Sequence, residues 1–255
     1  MKIITWNVNG LRSVVRKGFH EFWERQDPDI FCLQETKCHP DQLDLAAVVR
    51  EGYHAHWSAA RRAGYSGTAT FSKENPRTVR QGFGIPKFDA EGRMVVSEFA
   101  AFALYNCYFP NGGASEERHV FKQEFLRRFS RHLHKRVAKG DNVIVVGDYN
   151  VAYLDIDVYD PAALSAESGF LPEERRWMKG FLEQGFVDAF RYLHPDEKHR
   201  FTWWSYLQNS RMGNRGWRID HICVSRNLEK KLKSVDILDQ QTGSDHCPVV
   251  MEIDL

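Results

Sequence analysis

Apolar positions recur along the chain in two rhythms. Short runs rich in Val, Ile, Phe and Tyr, bounded by Gly, Pro, Asn or Asp, predict strands over 2–8, 29–35, 67–72, 93–99, 102–109, 142–149, 218–225, 234–239 and 249–255. Longer amphipathic stretches lie between them. From 115 to 140, Val120, Phe121, Phe125, Leu126, Phe129, Leu133 and Val137 fall on one stripe near a 3.6-residue period, which predicts a helix. Ser115 caps its start with an acid close behind, and Gly140 ends it. The Lys and Arg residues on its other face are expected to be solvated. A second helix is predicted over 171–185, with Pro172 near its first turn and Gly185 after its last. Strands and helices interleave, but several strands follow one another directly. That order favours a mixed or antiparallel α/β sandwich over a doubly wound parallel sheet. No repeat, low-complexity tract or linker-like shift divides the chain, so a single domain, 1–255, is expected.

Composition narrows the partners. The 255 residues are 42% hydrophobic, ample for a large core, and 35 Lys+Arg stand against 34 Asp+Glu for a net charge of +1. A polyanion must therefore be met by a local basic face, because the molecule has no strong field of its own. The five cysteines (Cys32, Cys38, Cys107, Cys223, Cys247) are odd in number and form no CxxC, and the opening "MKIITWNVNG" lacks the apolar core of a secretory signal. They are expected to be reduced thiols, three of them packed as small hydrophobes in strand-like runs. No apolar stretch approaches the ~20 residues that span a bilayer. The expectation is a soluble, cytoplasmic monomer with no membrane partner.

Polar residues gather where apolar runs end. "TWNVNG" ends in Asn7 and Asn9, "CLQETK" in Glu35, "NCYFPNGG" in Tyr108 and Asn111, and "VVGDYNVA" in Asp148 and Asn150; "GWRIDHI" carries Asp220, and "GSDHCP" carries Asp245 and His246. Each junction alone reads as a turn, because Asn and Asp side chains bond the local backbone there. Six on one chain form a site if the strand ends converge on one edge. Glu35, Asp148, Asp245 and the amide oxygens of Asn7 and Asn150 are hard ligands that suit Mg²⁺, with Mn²⁺ able to substitute, rather than Zn²⁺. One imidazole beside spare carboxylates supplies a base for water. The set describes phosphodiester hydrolysis better than acyl transfer, and no G-x-S-x-G elbow or Cys–His motif offers a covalent route. In "GSDHCPVV" itself, the Asp–His–Cys row leaves metal ligand, acid–base pair, thiol nucleophile and plain turn all open.

In their order, "TWNVNGLR", "LQETK", "YFPNG", "GDYNVA", "GWRIDH" and "GSDHCP" resemble the exonuclease III type of apurinic/apyrimidinic endonucleases. These belong to the endonuclease/exonuclease/phosphatase superfamily, which also includes deoxyribonuclease I. The likeness runs from residue 3 to 252 and extends to "GYSGTATFS", "FDAEGRMVV", "NGGASEER" and "FTWWSY". It implies a four-layered α/β sandwich, two mixed β-sheets packed together and flanked by helices, of the deoxyribonuclease I-like kind. It implies Mg²⁺-dependent hydrolysis of the phosphodiester 5′ to an abasic site in double-stranded DNA, leaving a 3′-hydroxyl, with some 3′→5′ exonuclease or 3′-phosphodiesterase activity.

The likeness also implies roles. Glu35 resembles the principal metal ligand, with Asn7, Asn9 and Asp245 beside it. Asp148 and Asn150 resemble the pair that positions or deprotonates water, and His246 the phosphate-binding imidazole, paired with Asp220 and counted with Asp148 and Asn150 among the metal residues. Tyr108 and Asn111 resemble phosphate-side donors. Arg12, Lys17 and Tyr65 fall on the DNA side, and Trp203, Trp217 and Ile219 resemble an apolar pocket for the flipped sugar. By composition alone, both tryptophans are packing residues. Three basic groups (Arg12, Arg16 and Lys17; Arg61 and Arg62; Arg211, Arg215 and Arg218) flank the motifs; the first and third are placed to grip phosphates, whereas Arg61 and Arg62 read rather as solvated surface. Asn9 stands where some members carry Asp, and Tyr153 and Leu154 where relatives often have His and Glu. Another phosphodiesterase of the superfamily, for sugar phosphates or lipid headgroups, and a silent DNA-lesion binder are the rival functions.

Overall fold

The computed structural model describes residues 1–255 except for the side chain of Gln208. Its strands are β1 (Lys2–Asn7), β2 (Ile30–Gln34), β3 (His54–Ser58), β4 (Thr68–Ser72), β5 (Thr78–Gln81), β6 (Met94–Glu98), β7 (Ala103–Tyr108), β8 (Val143–Asp148), β9 (Phe186–Asp188), β10 (Asp220–Ser225), β11 (Leu232–Ile237) and β12 (Val249–Ile253). The helices are α1 (Leu11–Val15), α2 (Phe19–Gln26), α3 (Leu45–Val48), α4 (Pro86–Asp89), α5 (Glu116–Val137), α6 (Pro172–Glu183) and α7 (Ala189–Leu193).

Two six-stranded sheets form, in the orders β11-β12-β1-β2-β4-β3 and β5-β6-β7-β8-β10-β9. Each holds one parallel pair at its centre, β1 with β2 and β7 with β8, and every other pairing is antiparallel. Successive side chains on a strand point to opposite faces. In β8, Ile144 and Val146 therefore enter the core between the sheets, while Val143 and Val145 pack under α5 and α6. In β2, Ile30 and Cys32 face the other sheet, and Phe31 and Leu33 face Phe19, Phe22 and Trp23 of α2. Both faces are covered, so the central strands read as unbroken apolar runs. The expected four-layered sandwich of two mixed sheets is observed.

Helix α5 departs from its expected stripe. Ser115 Oγ does accept the Arg118 N–H as a cap. Phe125, Leu126, Phe129 and Leu133 are buried, but Val120 is 56% exposed and Phe121 and Val137 are only partly covered. Nor is the polar face all solvated: Lys122 is fully buried against Glu174, and Arg136 pairs with Glu98 and Asp141. All five cysteines are free and buried. Among the described residues, no helix is long and apolar enough to cross a membrane.

Candidate active site

The sheet order explains why six distant motifs meet. Parallel partners end together, so β1 and β2 deliver Asn7 and, one residue beyond Gln34, Glu35 to one edge; Asn7 stands opposite Gln34. In the facing sheet Tyr108 stands opposite Asp148. The antiparallel neighbours begin where these strands end, and Asp220, the first residue of β10, pairs with Asp148. Just before β12, His246 and Trp203 bridge each other, and Trp203 bridges Trp217. The chain turns sharply at these exits. Asn9, Glu35 and Asn150 have φ of 44°, 51° and 51°, a region in which non-glycine residues mark turns or functional strain. Gly147 is required before Asp148, because its φ is 135° and a Cβ there would lie 1.9 Å from the Cys107 carbonyl oxygen.

Hydrogen bonds tie the two sheets together at this edge. The Asn7 amide donates to Glu35 Oε1 at 3.0 Å and to Asp148 Oδ2 at 2.9 Å, while its oxygen accepts the Asn9 N–H at 3.0 Å. Asn7 thus presents its amide hydrogens to the carboxylates, and its oxygen faces the backbone rather than a metal position. The Asn150 amide donates to Asp148 Oδ2 at 3.2 Å and to the Phe109 carbonyl, and its oxygen accepts from Asn111. His246 Nδ1 donates to Asp220 Oδ2 at 2.8 Å, and its Nε2 stands 3.9 Å from Asp148 Oδ2. The partner of His246 is Asp220, as expected, and not its neighbour Asp245.

Charges follow from this geometry. Burial opposes the charge on His246, but Asp220, then Asp148 and Asp245, outweigh it and raise its pKa to about 10. Burial and the Asp220 charge push Asp148 up to about 7, against the pull of His246. Burial also works against ionised Glu35, yet Lys37 at 2.8 Å, Asn7 and His246 hold its carboxyl below the usual range. Burial and the nearby Glu35 and Asp148 charges raise Tyr108 well above an ordinary phenol, so it remains an O–H donor.

Glu35, Asp148 and His246 offer ligand atoms within 4.8 Å of one another, the one such cluster among the described residues. The carboxylate oxygens of Glu35 and Asp148 are hard ligands of the kind a small divalent cation takes, whereas His246, held cationic beside Asp220, has no lone pair free to join them. Asp245 stands apart from this cluster: its oxygens accept from Asn9 at 2.8 Å, Ser244 at 3.2 Å and the Trp203 indole N–H at 3.1 Å. Cys247 is fully buried between the sheets, its Sγ turned to the Phe201 carbonyl, so the thiol faces away from the site.

The cluster floors a cavity of about 350 Å³. Tyr108, Asn111 and Asn150 line it, as do Trp203, Trp217 and Ile219, which belong to one apolar cluster, and Glu167, Ser168 and Gly169 complete the wall. The tryptophans do both jobs: Trp217 is buried in a small apolar cluster with Phe170 and Ile219, and its surface still reaches the cavity.

Arg12, Lys17 and Tyr65 lie outside the cavity. Arg12 and Arg16 line an adjoining groove that Lys37 also borders, and Lys17 is exposed. The Tyr65 hydroxyl accepts from Arg93 and Arg118 instead of facing the cavity. Of the third basic group, Arg218 is 1% exposed and locked to Asp157 and Asp188, so it cannot meet a phosphate; Arg211 donates to the carbonyls of Ser244, Asp239 and Gln241. These arginines are structural because each has a carboxylate or carbonyl from a distant segment. Lys37, Arg93, Lys122 and Glu174 support the site and were not foreseen. Only Lys37, two residues after Glu35 in "LQETK", carried a local signal.

Residues 4–246 match the endonuclease/exonuclease/phosphatase family. An exodeoxyribonuclease of Bacillus subtilis is 41% identical over 256 residues, covering 100% of both chains. Among solved structures, an AP endonuclease from Archaeoglobus fulgidus superimposes with a TM-score of 0.91 at 31% identity, and a 3′–5′ exonuclease from Neisseria meningitidis with 0.91 at 30%, each covering 100% of both chains.

Proposed function

The chain belongs to the endonuclease/exonuclease/phosphatase family, and on that premise we propose that it incises double-stranded DNA on the 5′ side of abasic sites, leaving a 3′-hydroxyl. It is a phosphodiester hydrolase. One observation carries the abasic specificity: the Asp148–His246 pair shares its cavity with an apolar surface made by Trp203, Trp217 and Ile219. Extruding a nucleotide costs a few kcal/mol, least when the base is already missing, and an apolar surface of this kind suits the bare sugar.

His246, held cationic by Asp220, binds a non-bridging phosphate oxygen through Nε2–H. Asp148, near neutrality in its pKa, takes the proton of the attacking water, and the Asn150 amide fixes the carboxylate that receives it. Tyr108 O–H and the Asn111 amide donate to the phosphate as its charge grows. Glu35 and Asp148 would hold Mg²⁺ or Mn²⁺, with Asn7 steadying both carboxylates and Asp245 shaping the rim through Asn9 and Trp203. Such a cation would supply positive charge against the negative charge that grows on the phosphate oxygens. Arg12 and Lys17 grip the flanking backbone. The protein acts as a cytoplasmic monomer with one catalytic domain. The Neisseria exonuclease supports a secondary 3′→5′ exonuclease activity at the same site.

A duplex carrying a single abasic analogue tests this directly. Incision with Mg²⁺, its loss in EDTA, recovery with Mg²⁺ or Mn²⁺, and a product that a polymerase extends are expected. Cutting that persists in EDTA, or no cutting with either ion, overturns the proposal.

A further inference from the structure

Beneath the site lies a charged pair that touches neither the cavity nor solvent. Lys122 of α5 and Glu174 of α6 are both 0% exposed and pair directly. Lys122 Nζ donates a second bond, at 2.8 Å, to the Asn150 carbonyl. Glu174 uses its other oxygen to accept the Gly169 N–H at 2.6 Å and the Leu171 N–H at 3.1 Å. The pair therefore holds, by backbone atoms, the turn that carries Asp148 and Asn150 and the loop that forms the cavity wall at 167–169.

The two segments are pressed together as well as tied. The Ala152 N–H donates to the Gly169 carbonyl at 2.7 Å. A Cβ on Gly169 would lie 3.2 Å from the Asn150 carbonyl oxygen and 3.2 Å from the Trp217 ring. The third wall segment rests on the same pair: a Cβ on Gly112 would lie 3.2 Å from Lys122 Cδ and 3.0 Å from Ser168 Oγ. A buried ion pair is a poor source of stability, because desolvation offsets its attraction and apolar replacements of like volume are often neutral. Its placement under three wall segments calls for another role.

We propose that Lys122 and Glu174 are positioning residues for the reaction, joining the Asp148–Asn150 turn to the 167–171 wall so that the water-activating group and the width of the cavity are set together. This rests on the abasic-site reading of the cavity. Loosening the pair shifts Asn150 and the wall by fractions of an ångström while the DNA-gripping residues stay in place.

The test is the double variant Lys122→Met/Glu174→Gln, in which Met keeps the volume and Gln still accepts from Gly169 and Leu171. Turnover per folded molecule, counted by the cooperative unfolding signal, is expected to fall about 10- to 100-fold with KM within about threefold, the range for small misplacement of reacting groups. The rate ratio between an abasic duplex and a recessed 3′ end is expected to change as well, because the wall moves. A purely structural pair would lower the folded fraction and leave turnover per folded molecule and the ratio unchanged; that result overturns the proposal. If the double variant does not fold, Glu174→Asp, which keeps the charge balance but shortens the reach to Gly169 and Leu171, is measured by the same two readouts. Wild-type enzyme in the same assays separates the two ideas: no abasic cutting by wild type defeats the function, whereas native turnover and ratio in the variant defeat only the pairing role.

Discussion

Asp148 and His246 show what a residue's surroundings add to its identity. An exposed aspartate is ionised near pH 4 and an exposed histidine is neutral at pH 7. Here burial and Asp220 bring the first up to about 7, and the carboxylates around the second keep it cationic. Their roles in the reaction are therefore distinct, one receiving a proton and one binding charge. Asp148→Asn removes the proton acceptor and leaves one donor of Asn7 or Asn150 facing an amide nitrogen, because both Asp148 oxygens accept N–H groups, and His246→Ala removes the cation. Each is expected to lower kcat by at least about 10²-fold, the scale of losing one charge-stabilising or proton-transferring group, with duplex affinity retained. Gel-shift binding beside single-turnover cleavage checks both. Near-native turnover in either variant would show that the roles are misassigned. At this scale the sequence was informative about His246 and Asp220, because both sit at strand junctions. Alternation along the strand also turns Cys247 into the packing, where it is found, but the sequence put Asp245 in the metal shell, whereas its oxygens are taken by Asn9, Ser244 and Trp203.

Elements were legible where both faces are buried and obscure where they are not. β8 and β2 announce themselves as apolar runs, whereas β5 is mostly exposed and β3 carries two histidines, so neither edge strand shows a pattern. β9 has three residues, too few for any period. Helix α2 hides its apolar face, Phe19, Phe22 and Trp23, in eight residues. The contacts that join elements are the least legible, because they pair residues far apart in the chain. The network around Arg218 is the clearest case. Its guanidinium bonds Asp157 and Asp188, Arg191 of α7 adds a second cation to Asp157, and together they fix the segment that leads from Trp217 to Asp220. Burial alone would raise both carboxyls, but Arg218 outweighs it, with His221 helping at Asp188 and Arg191 at Asp157, and both end below the usual range. Groups with depressed folded pKa values contribute stability that is present above their unfolded value, about 3.9, and is lost as pH falls through the folded value. Asp188→Asn strips one carboxylate from buried Arg218 and is expected to cost about 3 kcal/mol at pH 7. The deficit should shrink as pH drops below about 4, where wild type loses the same contribution. Urea unfolding at pH 7 and in acid measures it, and a deficit that stays constant down to low pH would remove Asp188 from the acid response.

The whole molecule carries a net charge of +1, so its attraction for a polyanion must come from where the charges lie. Many of its arginines are already held by carboxylates: Arg93 and Arg118 by Glu91, Arg136 by Glu98, Arg191 and Arg218 by Asp157, Arg200 by Glu197 and Asp236. Arg12 and Lys17 differ. They are exposed, they follow the strand end that supplies Asn7, and no carboxylate pairs with either among the described residues. A protein that neutralises phosphates releases counterions, and the slope of log affinity against log salt changes by about one for each contact removed. Arg12→Ala together with Lys17→Ala is therefore expected to flatten that slope by about two units. Because phosphate contacts carry no lesion information, affinity should weaken equally for intact and abasic duplex. Fluorescence anisotropy over a salt series with a catalytically inert Asp148→Asn background measures both. An unchanged slope would return these two cations to the solvated surface and leave His246 as the phosphate-facing charge.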